Sequence, residues 1–259
     1  MFNPIMQYKL SDTCDLQCAP CKLWQKTTEE EFPALAEVTL DLEALKKRGV
    51  RYINFTGCEP LLHPDVVEIL IRAKKMGFKT IVTTHGGNYL SFRTGLKNYA
   101  DLLVFLLHSH DLTIHDETAG VSSYDNVISA IDLAKEHKQK VMISFNVTRD
   151  NVQNVPEMQE LATAKKVLLW LNPLPAAYGL DGFSADTIAY LKYYGRKPNV
   201  WLNLASIWHL TSKTGGLRER QDCIAVDEII TKSFSRIGAS YFLNLFSLIS
   251  LWWKLGKVR

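Results

Sequence analysis

The chain has 259 residues, 47% hydrophobic and 22% charged, enough to bury a substantial core in one large domain or two small ones. A formal charge of +3, with no Lys/Arg run interleaved with aromatics, argues against a nucleic-acid partner. Five cysteines, three within eight residues, suit metal ligation in a reducing compartment better than a disulfide framework. The start MFNPIMQYKLSDTC lacks the regions of a secretory leader, so a cytoplasmic location is expected.

In chain order, short runs rich in β-branched, Leu or aromatic residues alternate with amphipathic stretches. IMQYKL (5–10) predicts a first strand, followed by a helix from Leu40 to Arg48. RYINFTG (51–57) predicts the second strand, and Pro64 to Met76 the next helix, with Val66, Ile69, Leu70 and Ala73 as its buried stripe. KTIVTT (79–84) precedes a weak helical stretch from Phe92 to Tyr99, and LLVFLLH (102–108) precedes a helix from Tyr124 to His137. VMISFNV (141–147), a helix from Pro156 to Lys165 and VLLWLNP (167–173) complete six units of the βα kind, the pattern of an α/β fold around a parallel sheet.

Beyond Pro175 the regularity fails. Tyr178 to Cys223 reads as short helices and loops, so the expected division is a core over 1–175 and a short irregular or helical extension over 176–259. Ile237 to Trp253 carries no charge and is followed by Lys254, Lys257 and Arg259. A spanning helix needs about 20 predominantly apolar residues, and this run is shorter and holds Ser240, Asn244, Ser247 and Ser250. The expectation is a helix packed on the protein or in peripheral contact with a membrane, its basic end toward headgroups.

The chemistry is carried by CDLQCAPC, directly after the first predicted strand. Cys14, Cys18 and Cys21 place three thiols on one loop. A [4Fe–4S] cluster held by three thiolates leaves one iron without a protein ligand, and an open position implies chemistry. The spacing alone also admits a zinc site lacking its fourth ligand. At the end of the second strand stands Thr56-Gly57-Cys58-Glu59-Pro60, which by itself reads as a strand-to-helix turn with an N-terminal Glu and Pro. The third strand ends Thr83-Thr84-His85-Gly86, and the fourth leads into HSHDLTIHDETAG.

Taken together, these motifs over about residues 5 to 175 resemble the radical S-adenosylmethionine (SAM) superfamily. The resemblance implies a partial (βα)6 TIM-like barrel, with Cys14, Cys18 and Cys21 as ligands to a [4Fe–4S] cluster. It also implies reductive cleavage of SAM to a 5′-deoxyadenosyl radical that acts on a peptide or small-molecule substrate. A low-potential electron donor of the flavodoxin or ferredoxin type is implied as partner. Gly57, Cys58 and Glu59 match the segment that receives the SAM amino group, with Cys58 in place of a second Gly. An ammonium needs carbonyl or carboxylate acceptors, and a glycine at a strand end lets backbone oxygens approach.

Thr84 falls where the family has a Thr-Asn-Gly, with His85 in place of the Asn, and is expected to face SAM. Leu107 and Ala119 stand where the family has Ser and Arg, so Ser109 and Arg149 are the substitutes for those contacts, with Asn146 at the end of the fifth strand. His115-Asp116 matches a family position and reads as a local structural pair rather than a second metal site. The alternatives from other classes are a non-catalytic iron–sulfur electron carrier, which predicts a fourth cluster ligand, and a zinc-stabilised binding module. No residue is assigned to substrate chemistry.

Overall fold

The computed structural model describes residues 5–19, 21, 23–25, 32–173, 183–202 and 254. Seven strands occur in these residues: β1 (Ile5–Ser11), β2 (Tyr52–Gly57), β3 (Lys79–Thr84), β4 (Leu102–Leu106), β5 (Val141–Val147), β6 (Leu168–Pro173) and β7 (Val200–Leu202). The helices between them are α1 (Leu35–Lys47), α2 (Val66–Lys75), α3 (Tyr89–Tyr99), α4 (Leu112–Ala119), α5 (Tyr124–Glu136), α6 (Val155–Ala164) and α7 (Ala185–Gly195). The pairings β1–β2, β2–β3, β3–β4, β5–β6 and β6–β7 are all parallel. Parallel neighbours need a crossover, and the intervening helices supply it, which makes this an α/β fold.

The chain forms two compact units, one of Met1–Leu106 with Leu112–Val141 and one of Leu107–Asp111 with Met142–Arg259. In the first, Ile53, Phe55, Val82, Leu103 and Phe105 are fully or almost fully buried on β2, β3 and β4. The stripe of α2 is buried as its period requires: Val66, Ile69, Leu70 and Ala73 are all at 0% exposure. Burial of each larger aliphatic side chain is worth about 1.5–3 kcal/mol. The end of α2 is tied to the sheet through Asp101, which accepts from Lys74 Nζ at 2.8 Å and from the Thr80 amide at 2.9 Å. Burial alone would raise the Asp101 carboxyl, but the bonds from Lys74 and Thr80 hold it below the ordinary range.

In the second unit β5 and β6 run in register, with Ser144 beside Trp170 and Asn146 beside Asn172. Ile143, Phe145, Val147, Leu169 and Leu171 form one fully buried face.

The structure extends three expectations. The first helix starts at Leu35 and not at Leu40, because its buried positions Val38, Leu42 and Leu45 continue the stripe upstream. The third starts at Tyr89, whose ring is fully buried against Phe105. Past residue 182 the βα alternation resumes with α7 and the short β7, whose Trp201 stacks obliquely on Trp170 at 5.3 Å. Three residues are too few to show a period in sequence.

The run Ile237 to Trp253 and Cys223 lie outside the described residues. Lys254, the first basic residue after that run, is buried, as packing on the protein would have it. Its Nζ donates to the carbonyls of Gly195 (3.1 Å), Lys197 (3.0 Å) and Val200, closing the C-terminal end of α7. Among the described residues, no helix is long and apolar enough to cross a membrane.

Candidate active site

The cysteine loop leaves β1 at Ser11 and is fastened at both ends within the first unit. At its start, the Cys58 amide donates to Ser11 O (2.9 Å) and the Glu59 amide to Thr13 O (3.1 Å), so the end of β2 grips the loop's first residues. Gly57 makes this approach possible. Its φ of +134° is closed to most side chains, and a Cβ there would lie 2.4 Å from Ser11 O. Farther along, the Gln17 amide donates to Ala119 O and the Ala19 amide to Thr118 O, both at 2.9 Å, seating the loop on the last turn of α4. Gly120 ends that helix at φ +72°, and a Cβ there would meet Gln17 O at 2.5 Å.

The three thiols come together on this seat. Cys18 is buried with Leu16 and Ala119, and Cys14 and Cys21 pack against the same apolar group with Val121. Cys21 N donates to Cys18 O at 3.0 Å, and Trp24 Nε1 to the same carbonyl at 3.2 Å. Burial, and the neighbouring Cys14 and Cys21 sulfurs, push the Cys18 thiol up to about 12. Three sulfurs whose ionised forms repel one another are the donor set that a multiply charged cationic centre stabilises.

Beside the loop lies a buried polar cluster at the ends of β2 and β3. Glu59 is fully buried, and its Oε1 accepts from the Leu61 amide (2.8 Å) and the Thr84 hydroxyl (2.7 Å). Its Oε2 accepts from the His85 amide at 3.0 Å and lies 3.0 Å from His85 Nε2. Thr84 Oγ1 in turn accepts from the Gly86 amide at 2.9 Å. Glu59 is therefore more than a helix N-terminal charge: it holds the last residues of β3 in place. Burial raises its carboxyl above the ordinary range, against the pull of His85 and the three donors.

The His85 ring also reaches the cysteine loop, with Nε2 2.5 Å from Asp15 Oδ1. One ligand-type atom each from Cys14, Asp15 and His85 lies within 4.8 Å of the others. Burial would lower the His85 pKa, but Asp15, the Cys14 sulfur and Glu59 raise it to about 10. Asp15, lifted by burial, is held below the ordinary carboxylate range by the same ring.

The structure thus brings Cys14, Cys18, Cys21, Gly57, Cys58, Glu59 and Thr84 together in one unit. Ser109, Asn146 and Arg149 belong to the other. There Ser109 is fully buried and its Oγ accepts from the Asp111 amide at 3.1 Å. Asn146 is half-buried; its Oδ1 accepts from Asn172 Nδ2 at 2.8 Å, and its carbonyl accepts from Asn151 Nδ2 at 2.9 Å. Arg149 is exposed. His115 is buried and bonds Ser123 Oγ at 3.1 Å, while Asp116 accepts from the Ser123 and Tyr124 amides at the start of α5. These bonds fit the local structural role expected of the pair. Sequence reasoning missed Asp15 entirely and gave His85 no role. The only signal available was a carboxylate next to the first cysteine, which has no meaning until β3 is placed beside β1's loop.

The family model of the radical SAM superfamily matches residues 8–162. This chain belongs to the radical SAM superfamily. Its members are enzymes that use a [4Fe–4S] cluster and SAM. The donor set at Cys14, Cys18 and Cys21 fits such a cluster. A probable GTP 3′,8-cyclase of Thermoplasma volcanium is 30% identical over 197 residues, covering 73% of this chain and 58% of that protein. A second, of Sulfolobus acidocaldarius, is 26% identical over 176 residues, covering 65% and 56%. The chain therefore spans little more than half the length of these relatives. Among solved structures, SuiB of Streptococcus suis bound to the precursor peptide SuiA matches with a TM-score of 0.66 at 20% identity, covering 81% of this chain and 52% of that one. SuiB bound to SAM matches with a TM-score of 0.61 at 20% identity, covering 78% and 47%. At that identity the likeness is one of radical SAM fold.

Proposed function

We propose that this chain cleaves SAM reductively, with Cys14, Cys18 and Cys21 holding a [4Fe–4S] cluster and the strand-end segment Gly57-Cys58-Glu59 with Thr84 positioning SAM. The observation that supports this most is the seating of three thiols on one loop beside the buried carboxylate at the ends of β2 and β3. When bound, the cluster and SAM supply a single electron and a 5′-deoxyadenosyl radical that removes a hydrogen atom from substrate.

The chain's own part is binding, orientation and exclusion of water. Three thiolates leave one coordination position for a small molecule. Leu16, Ala119 and Val121 give the thiols an apolar backing that limits solvent access. Gly57 brings backbone close without a side chain in the way. Glu59 fixes Thr84 and the His85 amide, so its action on SAM runs partly through the strand ends it holds. Ser109, Asn146 and Arg149 are proposed as further SAM contacts, since hydroxyl, amide and guanidinium groups suit ribose and carboxylate.

For the substrate, the relatives named as GTP 3′,8-cyclases share more sequence with this chain than the peptide-bound SuiB does, which makes a guanine nucleotide the first substrate to test and a peptide the second. A low-potential flavodoxin or ferredoxin is proposed as donor. Peripheral membrane contact through Ile237 to Trp253 stays a proposal for flotation on anionic liposomes, with salt-sensitive binding as the supporting result.

Anaerobic reconstitution followed by SAM titration tests the function. The reading expects a brown centre of about four irons per chain that becomes EPR-active on one-electron reduction and whose signal then changes when SAM is added. A signal indifferent to SAM supports an electron carrier, and tight zinc without a visible band supports a binding module.

A further inference from the structure

We propose that the turn between α7 and β7 is a binding site for a small ammonium-type cation, which the chain's own Lys254 fills, strapping the C-terminal segment onto the second unit. The carbonyls of Gly195, Lys197 and Val200 converge on the Lys254 nitrogen, which lies 3.1 Å from the first, 3.0 Å from the second and in hydrogen-bond contact with the third. The backbone explains why each faces that point. The amides of Arg196 and Lys197 take the carbonyls of Tyr193 and Tyr194, so Gly195 ends α7 with an oxygen that no helical amide reaches. The Asn199 carbonyl accepts from the Leu169 amide of β6 at 2.8 Å, and strand alternation turns the Val200 carbonyl to the opposite edge, where the sheet order ends. The Lys197 oxygen, which also accepts from the Val200 amide at 3.2 Å, closes the cup between them.

Three acceptors converging on one point favour a positively charged donor, and the negative end of the α7 dipole adds to that preference. An ammonium head carries three N–H groups, one for each carbonyl. Lys254 is only 8% exposed, a depth at which a lysine persists only when its charge and its donors are met. The cup is complete without it: the three oxygens come from one turn, whereas the occupant stands 59 positions along the chain from Gly195. Cup and occupant are therefore separable, and a free cation of the same chemistry competes for the same oxygens. This sets the site apart from an ordinary helix cap, whose partners are neighbours in sequence.

The test is thermal unfolding of the full-length chain for wild type, Lys254→Ala and Lys254→Met, each in methylammonium chloride and in tetramethylammonium chloride, which has the same charge but no N–H donor. Lys254→Ala is expected to lower the midpoint by roughly 4–10 °C, with methylammonium restoring part of the loss saturably and tetramethylammonium none. Lys254→Met, whose stem still fills the approach to the cup, is expected to lose as much and recover nothing, and the wild-type midpoint to be the same in both salts. A wild-type midpoint for Lys254→Ala overturns the inference, as does a recovery that is equal in the two salts or equal in the two variants. If Lys254→Ala does not fold in buffer, its refolded yield in the two salts decides: a gain in methylammonium alone supports the site, and equal yields overturn it.

Discussion

The strand ends of the two units solve the same problem with different chemistry. In the first unit Glu59, His85 and Asp15 form a charged cluster in which one buried carboxylate serves three donors and a ring. In the second, the side chains of Asn146 and Asn172 share a neutral bond, and Ser109 Oγ accepts another from the Asp111 amide. Charged groups taken from water need every partner they have, whereas neutral amides tolerate loss. The charged cluster lies against the cysteine loop, so the fold commits its most demanding polar interactions where the metal-binding chemistry is proposed.

Seven variants, the last read against pH, probe this contrast. Replacing Cys14, Cys18 and Cys21 together with Ala is expected to abolish cluster iron, measured per chain after reconstitution, while Cys223→Ala leaves it. Glu59→Ala strands the Leu61 and His85 amides and the Thr84 hydroxyl, all donors to the buried carboxylate. It is expected to cost about 3–5 kcal/mol in urea unfolding of the cluster-free protein, and to weaken SAM binding in anaerobic calorimetry. Glu59→Gln, which keeps an acceptor, should cost less. Gly57→Ala forces a side chain into left-handed backbone against Ser11, and a loss on the order of 1–3 kcal/mol is expected, with slower cluster loading because the loop's first residues are displaced.

In the other unit, Asn146→Ala removes one neutral side-chain bond and is expected to cost only about 0.5–1.5 kcal/mol. A loss as large as that of Glu59→Ala would break the contrast. The smallest effect concerns Asp101. Because its folded pKa lies below the unfolded value, its contribution is complete above an unfolded pKa of about 3.9 and disappears as pH falls through the folded value. Asp101→Asn should therefore flatten the acid limb of a stability–pH curve and leave the neutral region's slope unchanged.

Much of this was legible in sequence because the signals are local. The stripe Val66, Ile69, Leu70 and Ala73 needs only the helical period, and the three cysteines need only their spacing and the strand before them. The six longer strands announced themselves by β-branched and aromatic runs. The three-residue β7 did not, since pairing with β6 rather than composition makes it a strand. The two readings left open for Lys254 could not be separated for the same reason: a lysine after an apolar run looks solvated until the carbonyls of Gly195, Lys197 and Val200 are found around its nitrogen. Glu59 was legible as a motif residue but not as a hub, and Asp15 not at all, because their partners are 25 and 70 residues away. Long-range charge clusters leave no periodic trace.

The central claim is that the thiols of one short loop make this chain a SAM-cleaving enzyme. Its most direct test is 5′-deoxyadenosine formation from SAM by the anaerobically reconstituted, dithionite-reduced chain, compared with the Cys14→Ala, Cys18→Ala, Cys21→Ala triple variant. The account predicts 5′-deoxyadenosine from the wild-type chain and none above background from the triple variant. Equal amounts from both, or none from an iron-replete wild-type protein that binds SAM, would contradict it.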